Sequence, residues 1–319
     1  MLKNKYDIYK KISPQMLEVV RTIQARQQPP TEDWRQDYVD ERAYWNEGGP
    51  QPVKVVEAVV PGPHGDIPVR LHYPRLGEGL PAIVFLHGGG YYLGNNDTHS
   101  RMMRILADAS GAVVIGVDYR LAPEFMFPVQ VDETVAVTRY FHLHGGDFGL
   151  DGADLCLAGD SGGATLALAA NLYLRDEDGD NSYITSLLLY YGAYGMRDSI
   201  SLRLYGNEID GLMRESMGFY DEGYIKPEDL KSPYYDLMDN DLTFGIPPTL
   251  LVCGDADPLI DNSTALYEIL KDKGLTVEYK VYPGVMHAFL HYSRLLPDAW
   301  DALRLGADFR NQHGRQRKD

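Results

Sequence analysis

From position 82 to position 253 the chain repeats one pattern. A short apolar run without alternation is followed by a longer segment of helix-forming composition. The runs are 82–86, 112–117, 155–158, 187–190 and 250–253. Strands covered on both faces read this way, because neither side needs to be polar. The intervening segments predict helices over 97–110, 129–142, 164–175 and 262–273. A further strand over 276–281 and a final helix near 298–309 close the series. Strand and helix in alternation, joined by short loops, predict an α/β fold with a mostly parallel central sheet flanked by helices. No segment repeats at a fixed period.

Upstream the pattern differs. Residues 53–60 and 67–73 partly alternate and are separated by Pro61-Gly62-Pro63-His64-Gly65-Asp66, which predicts a hairpin of antiparallel edge strands. Ser13-Pro14 is a helix start, a capping hydroxyl followed by proline at the first helical position. Apolar residues follow at Met16, Leu17, Val20 and Ile23, and Gln27-Gln28-Pro29-Pro30 ends that helix. Thr31 is expected to cap a second helix with Glu32 and Asp33 in its first turn, and Trp34, Tyr38 and Trp45 fall on one face of it. Residues 194–242 hold no apolar strand and are rich in Gly, Met, Tyr and acidic residues, with a short helix expected over 211–220. An insertion of that length in a sheet domain reads as a lid or as a surface excursion, and its place among ligand-binding loops favours the lid. The expected organisation is a helical arm at 1–47 forming part of a cap, a catalytic core at 48–193 and 243–319, and a cap insertion at 194–242.

Composition narrows the function classes. The chain has 319 residues, 44% hydrophobic and 24% charged, which suits one large soluble domain. A formal net charge of −16 would repel nucleic acid and anionic membrane surfaces, so neither is expected as a partner. Met1-Leu2-Lys3-Asn4-Lys5-Tyr6-Asp7 lacks the apolar core of a secretory leader, and no window approaches a membrane span. A cytoplasmic location is expected, and Cys156 and Cys253, inside predicted strands, suit buried free thiols in a reducing compartment. Arg315-Gln316-Arg317-Lys318 is expected to be a solvated tail.

Reactive residues gather on the loops that follow predicted strands. Gly159-Asp160-Ser161-Gly162-Gly163 lies between a strand and a helix, the setting in which G-x-S-x-G becomes a nucleophile elbow. Taken alone it is also what a glycine-rich turn looks like in a chain with 32 glycines. His87-Gly88-Gly89-Gly90 follows an earlier strand, and three glycines can turn backbone amides toward an oxyanion. His87 could be a base or a metal ligand, but a hydrogen bond that fixes its loop is the simpler role. Asp255 and Asp257 leave one strand end together, and the residue types do not choose between them. His287 follows the last strand. The order serine, aspartate, histidine is that of α/β-hydrolases. No H-E-x-x-H occurs among the nine histidines, and His142 and His144 at i, i+2 would not face one way, so no metal and no organic cofactor are expected.

These motifs resemble those of the hormone-sensitive-lipase-like group of α/β-hydrolase esterases, and within it the bacterial acetyl esterases. The likeness spans nearly the whole chain. It rests on His87 to Gly90, Asp118-Tyr119-Arg120-Leu121-Ala122-Pro123-Glu124, Gly159 to Gly163, Asp257-Pro258-Leu259-Ile260-Asp261, and the run His287-Ala288-Phe289-Leu290-His291-Tyr292-Ser293-Arg294. The resemblance implies that Ser161 is the nucleophile, His287 the base and Asp257 the acid. It implies an oxyanion hole formed by Gly88, Gly89 and the amide of Gly162, and a structural role for residues 118–124 with Arg120 paired to Glu124. Asp255 is then left with a loop hydrogen bond. In such a sheet another strand separates Cys156 from Cys253, putting them about 10 Å apart, too far for a disulfide.

Two positions depart from the family pattern. Gly162 stands where alanine is usual, which predicts a looser elbow, and Tyr91 stands where Phe or Trp is common after the glycines. The implied activity is hydrolysis of small-molecule, short-chain acyl esters through an acyl-enzyme, with loss of activity below about pH 6.5 as His287 takes up a proton. Amide or lactone hydrolysis would use the same machinery. A regulatory module that binds a protein partner through its acidic surface is the reading from another class, and a second copy of the chain is a further candidate partner.

Overall fold

Every apolar run read as a strand falls in one sheet. The computed structural model describes residues 5–213 and 222–315. Among them the strands are β1 Lys54–Val60, β2 Ile67–Tyr73, β3 Leu80–Leu86, β4 Val113–Val117, β5 Leu150–Asp160, β6 Ile184–Tyr190, β7 Thr249–Gly254 and β8 Val277–Tyr282. Their order is β1-β2-β4-β3-β5-β6-β7-β8. β2 runs antiparallel to both β1 and β4, and the remaining pairs are parallel. The fold is thus the expected α/β-hydrolase arrangement, with the hairpin at one edge.

The helices are α1 Ile8–Lys11, α2 Pro14–Arg26, α3 Trp34–Asn46, α4 Ser100–Ser110, α5 Val129–His144, α6 Gly162–Tyr173, α7 Ile200–Tyr205, α8 Ile260–Asp272 and α9 Pro297–His313. They cover both faces of the sheet. Val84 and Leu86 of β3 pack into a core shared with α5, α6 and α8. Ile83 and Phe85, one residue out of phase, pack into a second core with α2, α4 and α9. Alternate side chains of a strand point to opposite faces, so a strand between two cores must be apolar throughout. Cys156 and Cys253 are buried and free, on β5 and β7 with β6 between them.

Local chemistry sets the arm. The Ser13 hydroxyl accepts from the Met16 amide at 3.1 Å and Pro14 opens α2, as read from the sequence. α3 starts later than expected. Asp33, not Thr31, is its cap, accepting from the Gln36 amide at 3.0 Å. Thr31 lies too far back to reach the first-turn amides; its hydroxyl donates to Asp37 instead. The aromatic face of α3 divides, with Trp45 buried and Trp34 exposed. The predicted pair of Arg120 and Glu124 does not form. Arg120 pairs with buried Glu133, whose second oxygen takes the Arg120 amide at 2.8 Å. Glu124 projects to the surface and meets Arg35 of α3 at 2.6 Å.

Two further contacts seat the arm on the loops above β7 and β8. Lys11 pairs with Asp255 at 2.8 Å, and the Ser13 amide donates to the Gly284 carbonyl at 2.8 Å. Most of the helix expected over 211–220, and the tail beyond Arg315, lie outside the described residues. Among those residues no helix is long and apolar enough to cross a membrane.

Candidate active site

β5 ends at Asp160 and α6 begins at Gly162, so Ser161 alone makes the turn. Its backbone is held at φ 51 and ψ −121, a conformation that a non-glycine residue keeps only under tertiary constraint. The constraint is visible. The Ser161 amide donates to the Tyr190 carbonyl of β6 at 2.9 Å. A β-carbon on Gly163 would sit 1.9 Å from the Leu86 carbonyl oxygen, and one on Gly159 would sit 2.4 Å from that of Gly163. Only glycine lets the helix start this close to β3.

The loop after β8 brings His287 to the serine. His287 Nε2 lies 2.9 Å from Ser161 Oγ, and its Nδ1 lies 2.8 Å from Asp257 Oδ2. Asp257 is fully buried, and its other oxygen accepts from the Leu259 amide at 2.7 Å. Asp255 points elsewhere. It accepts from the Gly284 amide at 2.6 Å and pairs with Lys11, so it braces the loop that carries His287. Burial pushes the His287 pKa down, but the charge and hydrogen bond of Asp257, with Asp210 and Asp160 behind, outweigh it and hold the imidazole above its ordinary value. The line Asp257–His287–Ser161 can therefore move a proton off the serine hydroxyl and stabilise the resulting cation.

The glycine loop corrects one expectation. The Gly88 amide is engaged by Asp160 Oδ1 at 2.9 Å, so it is not available to an oxyanion. Gly89 and Gly90, at φ 116 and φ 60, line the cavity beside Ser161 together with Gly162. No described acceptor takes the Gly89 or Gly90 amide, and Gly162, first in α6, has no partner within its helix. Gly89, Gly90 and Gly162 are thus the candidate donors, and Gly88 is an anchor. His87 fixes the loop from below, its Nδ1 donating to the Gly88 carbonyl at 2.8 Å while the Tyr119 hydroxyl donates to the His87 carbonyl at 2.6 Å. Burial pushes the His87 imidazole down to about 3, which suits neither a base nor a charged partner.

The cavity above Ser161 has a volume of about 220 Å³. Its walls include Tyr38 and Arg42 from α3, and Asp210, Leu212 and Tyr224 from the segment between β6 and β7. Burial raises the Asp210 carboxyl to about 7, with His287 opposing and Asp257 reinforcing the rise. Tyr91 forms another wall, stacked on Tyr224 with ring centres 3.9 Å apart. A β-carbon on Gly162 would lie only 3.1 Å from the Tyr91 ring. Gly162 and the Tyr91 ring are therefore in direct contact, with no room for a side chain between them unless the ring shifts. Asp160, Asp210 and Arg42 had no assigned role in the sequence reading. Only Asp160 carried a signal, an acidic residue ending an apolar strand. His99, Asp160 and His291 bring ligand-type atoms within 4.8 Å of one another below the elbow, but Asp160 Oδ1 already serves the Gly88 amide.

Several known proteins are similar to this chain in sequence and fold. The model of a family described as alpha/beta hydrolase fold matches residues 83–291. An acetyl esterase of Salmonella paratyphi B is 43% identical over 317 residues, 96% of each chain. The structure of a hyperthermophilic esterase from the archaeon Pyrobaculum calidifontis superposes with a TM-score of 0.88 at 31% identity, over 95% of this chain and 98% of that one. A thermostable carboxylesterase cloned from a metagenomic library gives a TM-score of 0.85 at 26% identity, over 90% and 99%.

Proposed function

The chain belongs to the alpha/beta hydrolase fold family, in its hormone-sensitive-lipase-like esterase group, and from that premise we propose that it cleaves short-chain acyl esters through an acyl-enzyme on Ser161. It is a carboxylesterase, a serine hydrolase. The observation that carries the mechanism is the unbroken line of contacts at 2.8 and 2.9 Å from Asp257 through His287 to Ser161.

In the proposed sequence His287 Nε2 takes the proton of Ser161 as the hydroxyl attacks the ester carbonyl. Asp257 keeps the imidazole in the tautomer that presents a free Nε2 and stabilises the imidazolium. The amides of Gly89, Gly90 and Gly162 receive the oxyanion, each worth roughly 3 kcal/mol in the transition state. His287 returns its proton to the leaving alcohol, and water then repeats the attack on the acyl-enzyme. Every proton in this sequence is moved by protein or substrate groups.

The size of the cavity supports a short acyl group. At about 220 Å³ it is smaller than the roughly 300–1,000 Å³ usual for drug-sized ligands. The relatives named acetyl esterase point the same way. Residues 1–47 and 194–242 serve as the cap in this reading, since both supply wall residues. Intact-mass labelling with a fluorophosphonate, mapped to its peptide, tests the nucleophile. A label on any residue but Ser161 refutes it. Rates on p-nitrophenyl esters of rising chain length test the substrate class, with a steep fall beyond about four carbons expected and a maximum at eight or more contradicting it.

A further inference from the structure

The side of the cavity nearest the base carries two opposite charges. Asp210 and Arg42 both line the space above Ser161. Arg42 and Tyr38 stand four apart on α3 and so share one face of it. The charge of Asp210 is felt at His287, and that of Arg42 at His291 in the same segment after β8. Both are felt at Tyr292 as well. The Tyr91 ring against Gly162 forms a separate, aromatic wall.

Neither charge is used up within the protein. Asp210 Oδ1 accepts from the Leu212 amide at 3.3 Å, and its Oδ2 accepts from Asn207 Nδ2 at 3.0 Å. These two bonds aim the carboxyl and leave about half of its acceptor sites open. Among the described residues no cation pairs with it. Burial raises the carboxyl to about 7, as expected of an acid short of donors. Arg42 donates to the Tyr292 hydroxyl at 3.4 Å and lies 3.2 Å from Glu41, while its buried Nε has no hydrogen-bond partner. Most of its N–H donors therefore remain for a ligand. Arg42 and Asp210 share the cavity without pairing with one another.

The reaction decides which part of the ester meets these groups. The leaving oxygen must come within reach of His287 Nε2 to take its proton, so the alcohol lies on the side of Asp210 and Arg42 and the acyl chain toward Tyr91. A hydroxyl on that alcohol suits both groups at once, because it donates to the carboxyl and accepts from the guanidinium. An ammonium would suit Asp210 and be repelled by Arg42, and an anion would do the reverse. A plain alkyl alcohol would strip water from both and return nothing.

We propose that Asp210 and Arg42 form the subsite for the leaving alcohol and select a neutral alcohol that carries a second hydroxyl beside the ester, as in a glycol- or glycerol-type acetate. The proposal rests on the esterase reading above and adds the alcohol class to it.

Two acetates of nearly equal shape test it on the intact protein, 2-hydroxyethyl acetate and propyl acetate. The ratio of their kcat/KM is read within one preparation, so it does not depend on the fraction of active enzyme. The wild type should favour the hydroxyl at least about tenfold, the scale of hydrogen bonds to charged groups, and a smaller ratio overturns the proposal. Asp210→Ala should lower the ratio at least about fivefold and Arg42→Met at least about threefold. A ratio that either variant leaves unchanged overturns the proposal. Acetylcholine against its neutral analogue 3,3-dimethylbutyl acetate gives an arm that needs no variant. The wild type should cleave the two within about threefold of each other, and a larger preference for the cation overturns the proposal, because Asp210 would then be a cation site. Should neither 2-hydroxyethyl nor propyl acetate be cleaved, the esterase reading and this one fall together. Cleavage of both at similar rates overturns this one alone.

Discussion

Replacing Gly162 by alanine puts the Gly162–Tyr91 pairing to a quantitative test. The new methyl would lie 3.1 Å from one Tyr91 ring carbon and 3.4 Å from two others, where carbon atoms prefer about 3.5–4.0 Å. The ring must move by about half an ångström. It cannot move freely, because it is stacked on Tyr224 with an interplanar angle of 10°. Disturbing an aromatic pair costs about 0.5–1.5 kcal/mol. Against this stands the gain of alanine over glycine in a helix, at most about 1 kcal/mol and less at a first position. The two nearly cancel, so stability should change by no more than about 1 kcal/mol, or about 2–3 °C in Tm. Activity should not cancel. Tyr91 lines the cavity beside Ser161, so a displaced ring alters the wall that meets the acyl chain. We expect kcat/KM on acetyl esters to fall by up to about tenfold, and the dependence on chain length to change shape. Differential scanning fluorimetry with a p-nitrophenyl ester series reads both. Tyr91→Ala should abolish the effect of Gly162→Ala, with a coupling of about 1 kcal/mol. A chain-length profile that superposes on the wild type, or a loss of more than about 6 °C in Tm, would refute the reasoning.

Three further outcomes follow from the site. Ser161→Ala should leave the fold intact and reduce ester hydrolysis by at least about 10⁴-fold, the scale of a lost triad member, and retention of most activity would sink the mechanism. Asp257→Asn should cost about 10⁴ in kcat, whereas Asp255→Asn, which loses a partly exposed ion pair and a loop contact, should cost less than about tenfold; the reverse order of severity would move the acid. The activity limb should lie above pH 6.5, because His287 must be neutral to act and its pKa is raised; a limb at or below 6.5 contradicts this. That proton also stabilises the fold, fully below the unfolded value near 6.5 and less as pH rises through the folded one, so heat stability should decline where activity rises.

How much was legible in the sequence depends on the range of the interaction that decides it. Strands β3 to β7 could be read because the stretch of each that lies between two cores is a continuous apolar run. Ser161 and its glycines were legible because they form one contiguous motif, although the atom that forbids a side chain on Gly163 is the Leu86 carbonyl of β3. The choice of Asp257 over Asp255 was not a matter of residue type. It is made by which side chain the strand end aims at His287 and which at Gly284. Gly88 was misread for a related reason. A run of three glycines does not say which amide is free, and a carboxylate 72 residues away takes one of them. Glu124 was paired with its motif neighbour, but it reaches the surface and finds Arg35, 89 residues earlier. The cap of α3 was a smaller miss, since aspartate and threonine are both good caps and only the helix phase separates them.

The same division separates reaction from selectivity. The reacting atoms are held by contacts that are short, buried and backed by the sheet: Ser161 on the Tyr190 carbonyl, Asp257 on the Leu259 amide, Gly88 on Asp160. The cavity walls are held differently. α3, which carries Tyr38 and Arg42, is tied near its start by Arg35, donating to the Ala122 and Tyr92 carbonyls at 2.6 and 3.1 Å, and at its end by Asn46, donating to the Thr98 carbonyl at 2.9 Å. Its salt bridge to Glu124 is exposed and so contributes little, about 0–1 kcal/mol. Tyr224 is held by its stack on Tyr91, an edge contact with the Phe127 ring, and its carbonyl, which accepts from the Phe127 amide at 2.7 Å. Substitutions in these few contacts can move a wall without touching the atoms that react. Chain-length preference is therefore the property that should vary most readily, and Gly162 is where the two systems touch: its amide is a candidate oxyanion donor and its missing side chain leaves room for the Tyr91 wall.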